Sequence, residues 1–126
     1  MNRIVAVLVA LFAASVAFGA FGAHLLEDRL SPARLETYET ALRYLWMQSA
    51  SAVAVAAFDR ATFVTVLPVW AAGTSIFVGS LLTLVATDIG VWGAVAPVGG
   101  VLMIAAWSWA AWLLWRNGSQ RTRGVP

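Results

Sequence analysis

The chain has 126 residues, 61% hydrophobic and 11% charged, with a mean hydropathy of +0.81. A soluble domain carries about a quarter charged residues, so an aqueous globular fold is excluded and one membrane domain over 1–126 is expected. Cysteine and lysine are both absent, which removes disulfides, thiol nucleophiles, Cys-based metal sites, Schiff-base chemistry and a phosphate-loop lysine. The net charge of +2 arises with every cation an arginine. Arg116, Arg121 and Arg123 gather near the C-terminus, in a pattern suited to anionic lipid heads. Nucleic-acid binding would need a folded basic surface, and none is indicated.

No acidic or basic residue other than His24 lies between Arg3 and Glu27. About 20 mainly apolar residues cross a bilayer, so a first span over about 3–26 is expected. Arg3, the apolar run Ile4 to Ala14 and the triplet Ser15-Val16-Ala17 also suit a secretory leader. The apolar run continues to Leu26, which favours a retained helix. Ser15, Gly19 and Ala23 recur every fourth residue, with Gly22 close by. Small residues at this spacing admit a second helix backbone, either within one bundle or between copies; packing within the bundle is the expectation.

Ser31-Pro32 reads as N-cap and N1 of a second helix running to about Phe58. Arg34, Glu36 and Glu39 place its first turns among headgroups, so its membrane part is expected over about 40–58. This helix is rich in Ala and Ser, which predicts the most protein-enclosed position. Asp59-Arg60 makes a tight turn. A third span follows over about 66–87, with a kink or interfacial turn expected at Pro68. Ser75, Gly79, Thr83 and Thr87 form a stripe expected to face the bundle. After the turn at Asp88 a fourth span covers about 92–115, interrupted early by Pro97, Gly99 and Gly100; a start at Pro97 is an alternative. Trp70, Trp92 and Trp115 fall near span ends, as an aromatic belt requires. Residues 116–126 form a basic tail.

Four spans put both termini on the side of the Asp59-Arg60 turn. That side holds Arg3, Arg60, Arg116, Arg121 and Arg123, against Arg29 and Arg34 opposite. The positive-inside rule then predicts both termini in the cytoplasm of a multi-pass plasma (inner) membrane protein.

GAFGAHLL (Gly19 to Leu26), YETALRY (Tyr38 to Tyr44), VGSLLTL (Val78 to Leu84) and APVGG (Ala96 to Gly100) occur in this order. Together they resemble the small inner-membrane proteins of the YgdD type, related to transmembrane protein 256. The resemblance runs from about Val16 to Trp107. It implies a compact four-helix membrane protein from a family without an established biochemical activity. The family pattern has Gln after the tyrosine at Tyr44 and His near the position of Gln48. This chain has Leu45 and Gln48 there, which removes the histidine that would pair with His24.

Candidate chemistry is sparse. His24 is the only histidine; it suits a proton relay, a pH sensor or a metal ligand, or a structural hydrogen bond at the membrane edge. The structural bond is expected. Glu39 and Arg43 lie four apart with the acid first, the favourable ion-pair order. They read as a structural pair or as a polar site for an anionic lipid head or ligand. Tyr44 and Gln48 extend that polarity inward, although their face differs from that of Arg43 by about one residue step, and hydrogen-bonding side chains in lipid usually join helices. Asp88 is expected to be a solvated turn acid, with capping or a bond to Arg29 or Arg34 as alternatives. No nucleophile–base pair, paired catalytic carboxylates or metal motif is present, so no cofactor or metal is expected.

The expected architecture is all-α, an up-down bundle of four transmembrane helices. The expected role is non-enzymatic, in a homo-oligomer or as an accessory subunit of a larger membrane complex, packed through Ser15, Gly19, Gly22, Ala23, Ser75, Gly79, Thr83, Pro97, Gly99 and Gly100. The alternative is a small transporter or lipid-binding protein using His24, Glu39, Arg43, Tyr44 and Gln48 at the outer ends of the first two helices.

Overall fold

A computed structural model describes residues 1–121; the side chains of residues 23 and 119–121 also lie outside the description. Arg123 and the end of the basic tail therefore fall beyond it. The described chain is all-helical: α1 (Asn2–Leu26), α2 (Pro32–Phe58), α3 (Arg60–Thr87) and α4 (Val91–Arg121). No strand occurs among the described residues.

The helix ends follow the local chemistry. Ser31 caps α2, its hydroxyl accepting from the Arg34 N–H at 3.3 Å, with Pro32 next in line. Pro at N1 sacrifices no intrahelical bond. Asp59 alone separates α2 from α3. Its carboxylate accepts from the Ala61 and Thr62 N–H groups at 3.0 and 3.2 Å and from the Thr62 hydroxyl at 3.1 Å. These bonds, the Thr62 N–H foremost, hold its carboxyl below the ordinary range against an opposing desolvation effect, and Asn117 of α4 is a further donor. Asp88 ends α3 in the left-handed region at φ 56°. It is the exposed turn acid expected, with 77% of its side chain accessible, and it also makes the alternative bond: the Arg34 Nε donates to its Oδ1 at 2.5 Å, tying the start of α2 to the α3–α4 turn.

Both prolines are carried inside continuous helices. α4 begins at Val91, so the alternative start at Pro97 is not taken. At its other end α4 runs past Trp115 to Arg121, and part of the expected tail is helix.

Each helix packs on its neighbour in sequence, and the pairs run antiparallel. Tyr38 of α2 donates to the Phe18 carbonyl of α1 at 2.7 Å. α3 and α4 approach closest, backbone to backbone. A Cβ on Gly99 would stand 2.6 Å from the Gly73 carbonyl oxygen, and one on Gly73 would stand 2.8 Å from the Met103 nitrogen. Only glycine permits that approach. Among the described residues no Cα of α1 comes within 8 Å of one on α3 or α4. The helices therefore form a succession rather than a closed ring. Their shared core is thin: Leu8, Ala52, Ala56, Phe63, Trp70 and Ala106.

Among the described residues, three helical segments are long and apolar enough to cross a membrane: Asn2–Gly22, Arg60–Thr87 and Val91–Gly118. α2 is not among them. Arg34, Glu36, Glu39 and Arg43 crowd its first half, and Gln48, Ser49 and Ser51 follow.

Candidate functional site

Successive residues of a helix are turned by about 100°, and α2 uses that turn to divide its polar side chains between two faces. Tyr44 and Gln48 look toward α3 and α4, where they line a groove of about 380 Å³ with Phe77, Met103 and Trp107. Glu39 and Arg43 look away from it, into a groove of about 400 Å³ against α1. The expected single polar cluster is thus two separate features. His24 belongs to neither; it is exposed in the last turn of α1. Among the described residues, no three of His, Asp and Glu converge to hold a metal.

The inner feature is a hydrogen-bond junction. Gln48 Oε1 accepts from the Trp70 indole at 2.9 Å and from the Trp107 indole at 2.8 Å. One amide oxygen offers two lone pairs, so a single side chain joins three helices. Trp70 is 4% exposed and does not serve in an interfacial belt; its N–H needs an acceptor, and Gln48 supplies one inside. Trp92 and Trp115 are exposed, and the Arg116 guanidinium stands 4.5 Å over the Trp112 ring. The Tyr44 ring leans on Phe77, centroids 4.7 Å apart.

The outer feature carries charge. Arg43 is the eleventh residue after Pro32, about 16 Å along the axis. It lines its groove with Ser15 and Gly19, midway along α1. Glu39 and Arg43 are both exposed, and the expected ion pair between them is not formed. Among the described residues Arg34–Asp88 is the one ion pair. The groove has an apolar floor, where Trp46 meets Phe12 edge to face at 6.3 Å and 78°.

A third groove, about 510 Å³, lies between α1 and α3 over Leu45. Leu8, Leu11, Trp70 and Val78 make it apolar, and Thr74 in its wall has a buried hydroxyl without a hydrogen-bond partner.

The small residues divide in the same way. Ser15 is buried and donates to the Phe12 carbonyl at 2.7 Å. Gly22 lies under the Tyr38 hydroxyl, and a Cβ on Gly100 would stand 3.9 Å from the Phe77 ring. Gly19 has open space where a side chain would be, and Pro97 is exposed. The third-helix stripe is divided: Ser75 and Gly79 are exposed but border the groove between α1 and α3, Thr83 is half-buried, and Thr87 is exposed. Its hydroxyls need no neighbouring helix, because Thr83 donates to the Gly79 carbonyl and Thr87 to that of Thr83, each at 2.7 Å. Gly73, two residues before the stripe's start and so on the opposite face of the helix, makes the close contact with α4. Sequence reasoning missed Gly73; it read Gln48 as a side chain that joins helices, which the junction bears out, but not that its partners are Trp70 and Trp107. One signal was present: Gln48 is the only side-chain amide between Asn2 and Asn117, and buried indoles need acceptors.

Residues 18–100 match a family described as a protein of unknown function (DUF423). The chain belongs to this family. Among its relatives is a UPF0382 membrane protein of Staphylococcus haemolyticus, 37% identical over 98 residues, covering 74% of this chain and 79% of the relative. YwdK, a UPF0382 membrane protein of Bacillus subtilis, is 36% identical over 74% of this chain and 80% of its own length. The UPF0382 inner membrane protein YgdD of Escherichia coli K12 is 33% identical over 74% of each chain. The resemblance carried by GAFGAHLL and APVGG is therefore a family relationship, and this DUF423 chain is a membrane protein of helical architecture. No solved structure matches it.

Proposed function

We propose that this DUF423-family chain is a non-enzymatic, four-span protein of the plasma (inner) membrane, with both termini cytoplasmic, acting as a homo-oligomer or as an accessory subunit of a larger membrane complex. One observation carries this reading: apart from Thr74, the polar side chains within the bundle are engaged in bonds inside it. Ser15, Ser49 and Ser80 donate to carbonyls of their own helices, Tyr38 reaches α1, and Gln48 binds two indoles. The remaining surface is apolar and aromatic, with Trp109 and Trp112 exposed on α4, a composition that suits a protein partner. α2 would be the fourth span, its poor apolarity offset by α1 and α3 on either side. Native mass spectrometry after extraction in mild detergent tests the reading. The expected species is an oligomer or a complex with a second protein; recovery as a bare monomer defeats it. The absence of native cysteine makes topology accessible by single-cysteine labelling, and Asn2 and Arg60 substituted by Cys should label from the same side.

A second reading, a lipid-binding or small transport protein, is favoured by the Glu39–Arg43 groove. It does not extend to His24, Tyr44 or Gln48, which lie off that groove.

A further inference from the structure

We propose that the α1–α2 groove binds a phospholipid with a primary-ammonium head, its phosphate on Arg43 and its ammonium on Glu39. The proposal rests on the lipid-binding reading of this groove and adds the head class. An ionisable side chain at membrane depth is rare and marks a site by default. Here two of opposite sign share one face of α2 and line one groove, yet they do not pair with each other. Both are exposed. Ser15, the other polar side chain in the groove, already donates to the Phe12 carbonyl.

The order of the charges selects the ligand. Glu39 lies nearer the start of α2 than Arg43, and so nearer the adjacent membrane surface. A lipid of that leaflet carries its phosphate deeper and its ammonium outward. Helical side chains lean toward the N-terminus, which lifts the guanidinium toward the turn of Glu39 and the phosphate level. Guanidinium binds phosphate with two parallel N–H bonds. A carboxylate accepts N–H bonds from a primary ammonium; a quaternary one has none to give. Glu39 also repels a head of net negative charge. Gly19 leaves open space in the wall, while Leu42, Val16 and the Phe12–Trp46 ring pair offer an apolar seat for the upper acyl chain.

The test is native mass spectrometry of the full chain, released from nanodiscs holding equal phosphatidylethanolamine, phosphatidylglycerol and phosphatidylcholine, with helicity checked by circular dichroism. The parent should retain phosphatidylethanolamine over each of the others by about fivefold, the size of one ion pair. Glu39→Gln should erase that preference and raise phosphatidylglycerol. Arg43→Gln should lose all three, and Arg43→Lys should restore phosphatidylethanolamine. Soluble phosphoethanolamine should not displace the lipid; displacement would assign the site to a free phosphate ester and overturn the proposal. Lipid retained at Arg43 without head preference overturns the head class and leaves the lipid-binding reading standing. A helical Arg43→Gln that retains lipid like the parent, or a lipid-free dimer that Arg43→Gln dissociates, overturns both.

Discussion

Trp107 donates its indole N–H to Gln48 at 2.8 Å, although no Cα of α4 comes within 8 Å of one on α2 among the described residues. The two helices are joined by long side chains reaching past α3, not by backbone proximity. Trp70 shares the same acceptor. Gln48→Leu therefore leaves two indole donors without a partner at one stroke. The expected loss is about 1–3 kcal/mol, measured as a shift in the denaturant midpoint in detergent. Gln48→Glu keeps an acceptor oxygen at the junction and should cost less. Equal losses would mean that the amide acts by shape alone.

The glycines of α3 and α4 separate packing from mere smallness. Gly99→Ala drives a methyl into the Gly73 carbonyl and the Phe77 backbone. Rigid backbone cannot yield as a side-chain tip can, so a cost of about 1–3 kcal/mol is expected, with α3 and α4 pushed apart. Gly79→Ala meets nothing within 4 Å. It should be neutral or gain up to about 1 kcal/mol from helix propensity. Thermal midpoints of the two variants against the parent decide this.

Thr74 is 5% exposed and its hydroxyl has no hydrogen-bond partner. A buried polar group left unpaired is destabilising, whereas an apolar group of the same shape is not. Thr74→Val should raise stability by about 1 kcal/mol. A loss in the same unfolding assay would show that the hydroxyl has a partner in the membrane-embedded protein.

Asp59 gives the fold an acid-sensitive joint. Its folded carboxyl lies below the ordinary range, chiefly through the Thr62 N–H bond. A depressed pKa contributes stability that is complete above the unfolded value of about 3.9 and is lost as pH falls through the lower folded value. The thermal midpoint should therefore fall below about pH 4. Asp59→Ala should lower the midpoint at neutral pH, and its difference from the parent should shrink on that acid limb.

The helices were legible because their signals are local. The Ser31-Pro32 cap, the Asp59 turn and the long uncharged run after Arg3 each act within a few residues, and α2 begins and ends where those residues predict. The site was less legible because it depends on which way a helix is turned. Tyr44 and Arg43 are adjacent in sequence, yet one residue step sends them to different grooves. The stripe on α3 was legible only in part, for a related reason. Spacing shows that Ser75, Gly79 and Thr83 share a face but not what that face meets, and hydroxyls bonded to their own helix can look outward. Trp70 was misplaced because proximity to a predicted span end resembles a belt residue until its partner is known.

α1 approaches closely, backbone to backbone, only α2, and reaches the shared core through Leu8. It forms a wall of the charged groove through Ser15 and Gly19 and a wall of the large apolar groove through Leu8 and Leu11, on opposite flanks of the same seam. A single strut thus sets two apertures. How α1 is seated on α2 therefore bears on the shape of both grooves at once.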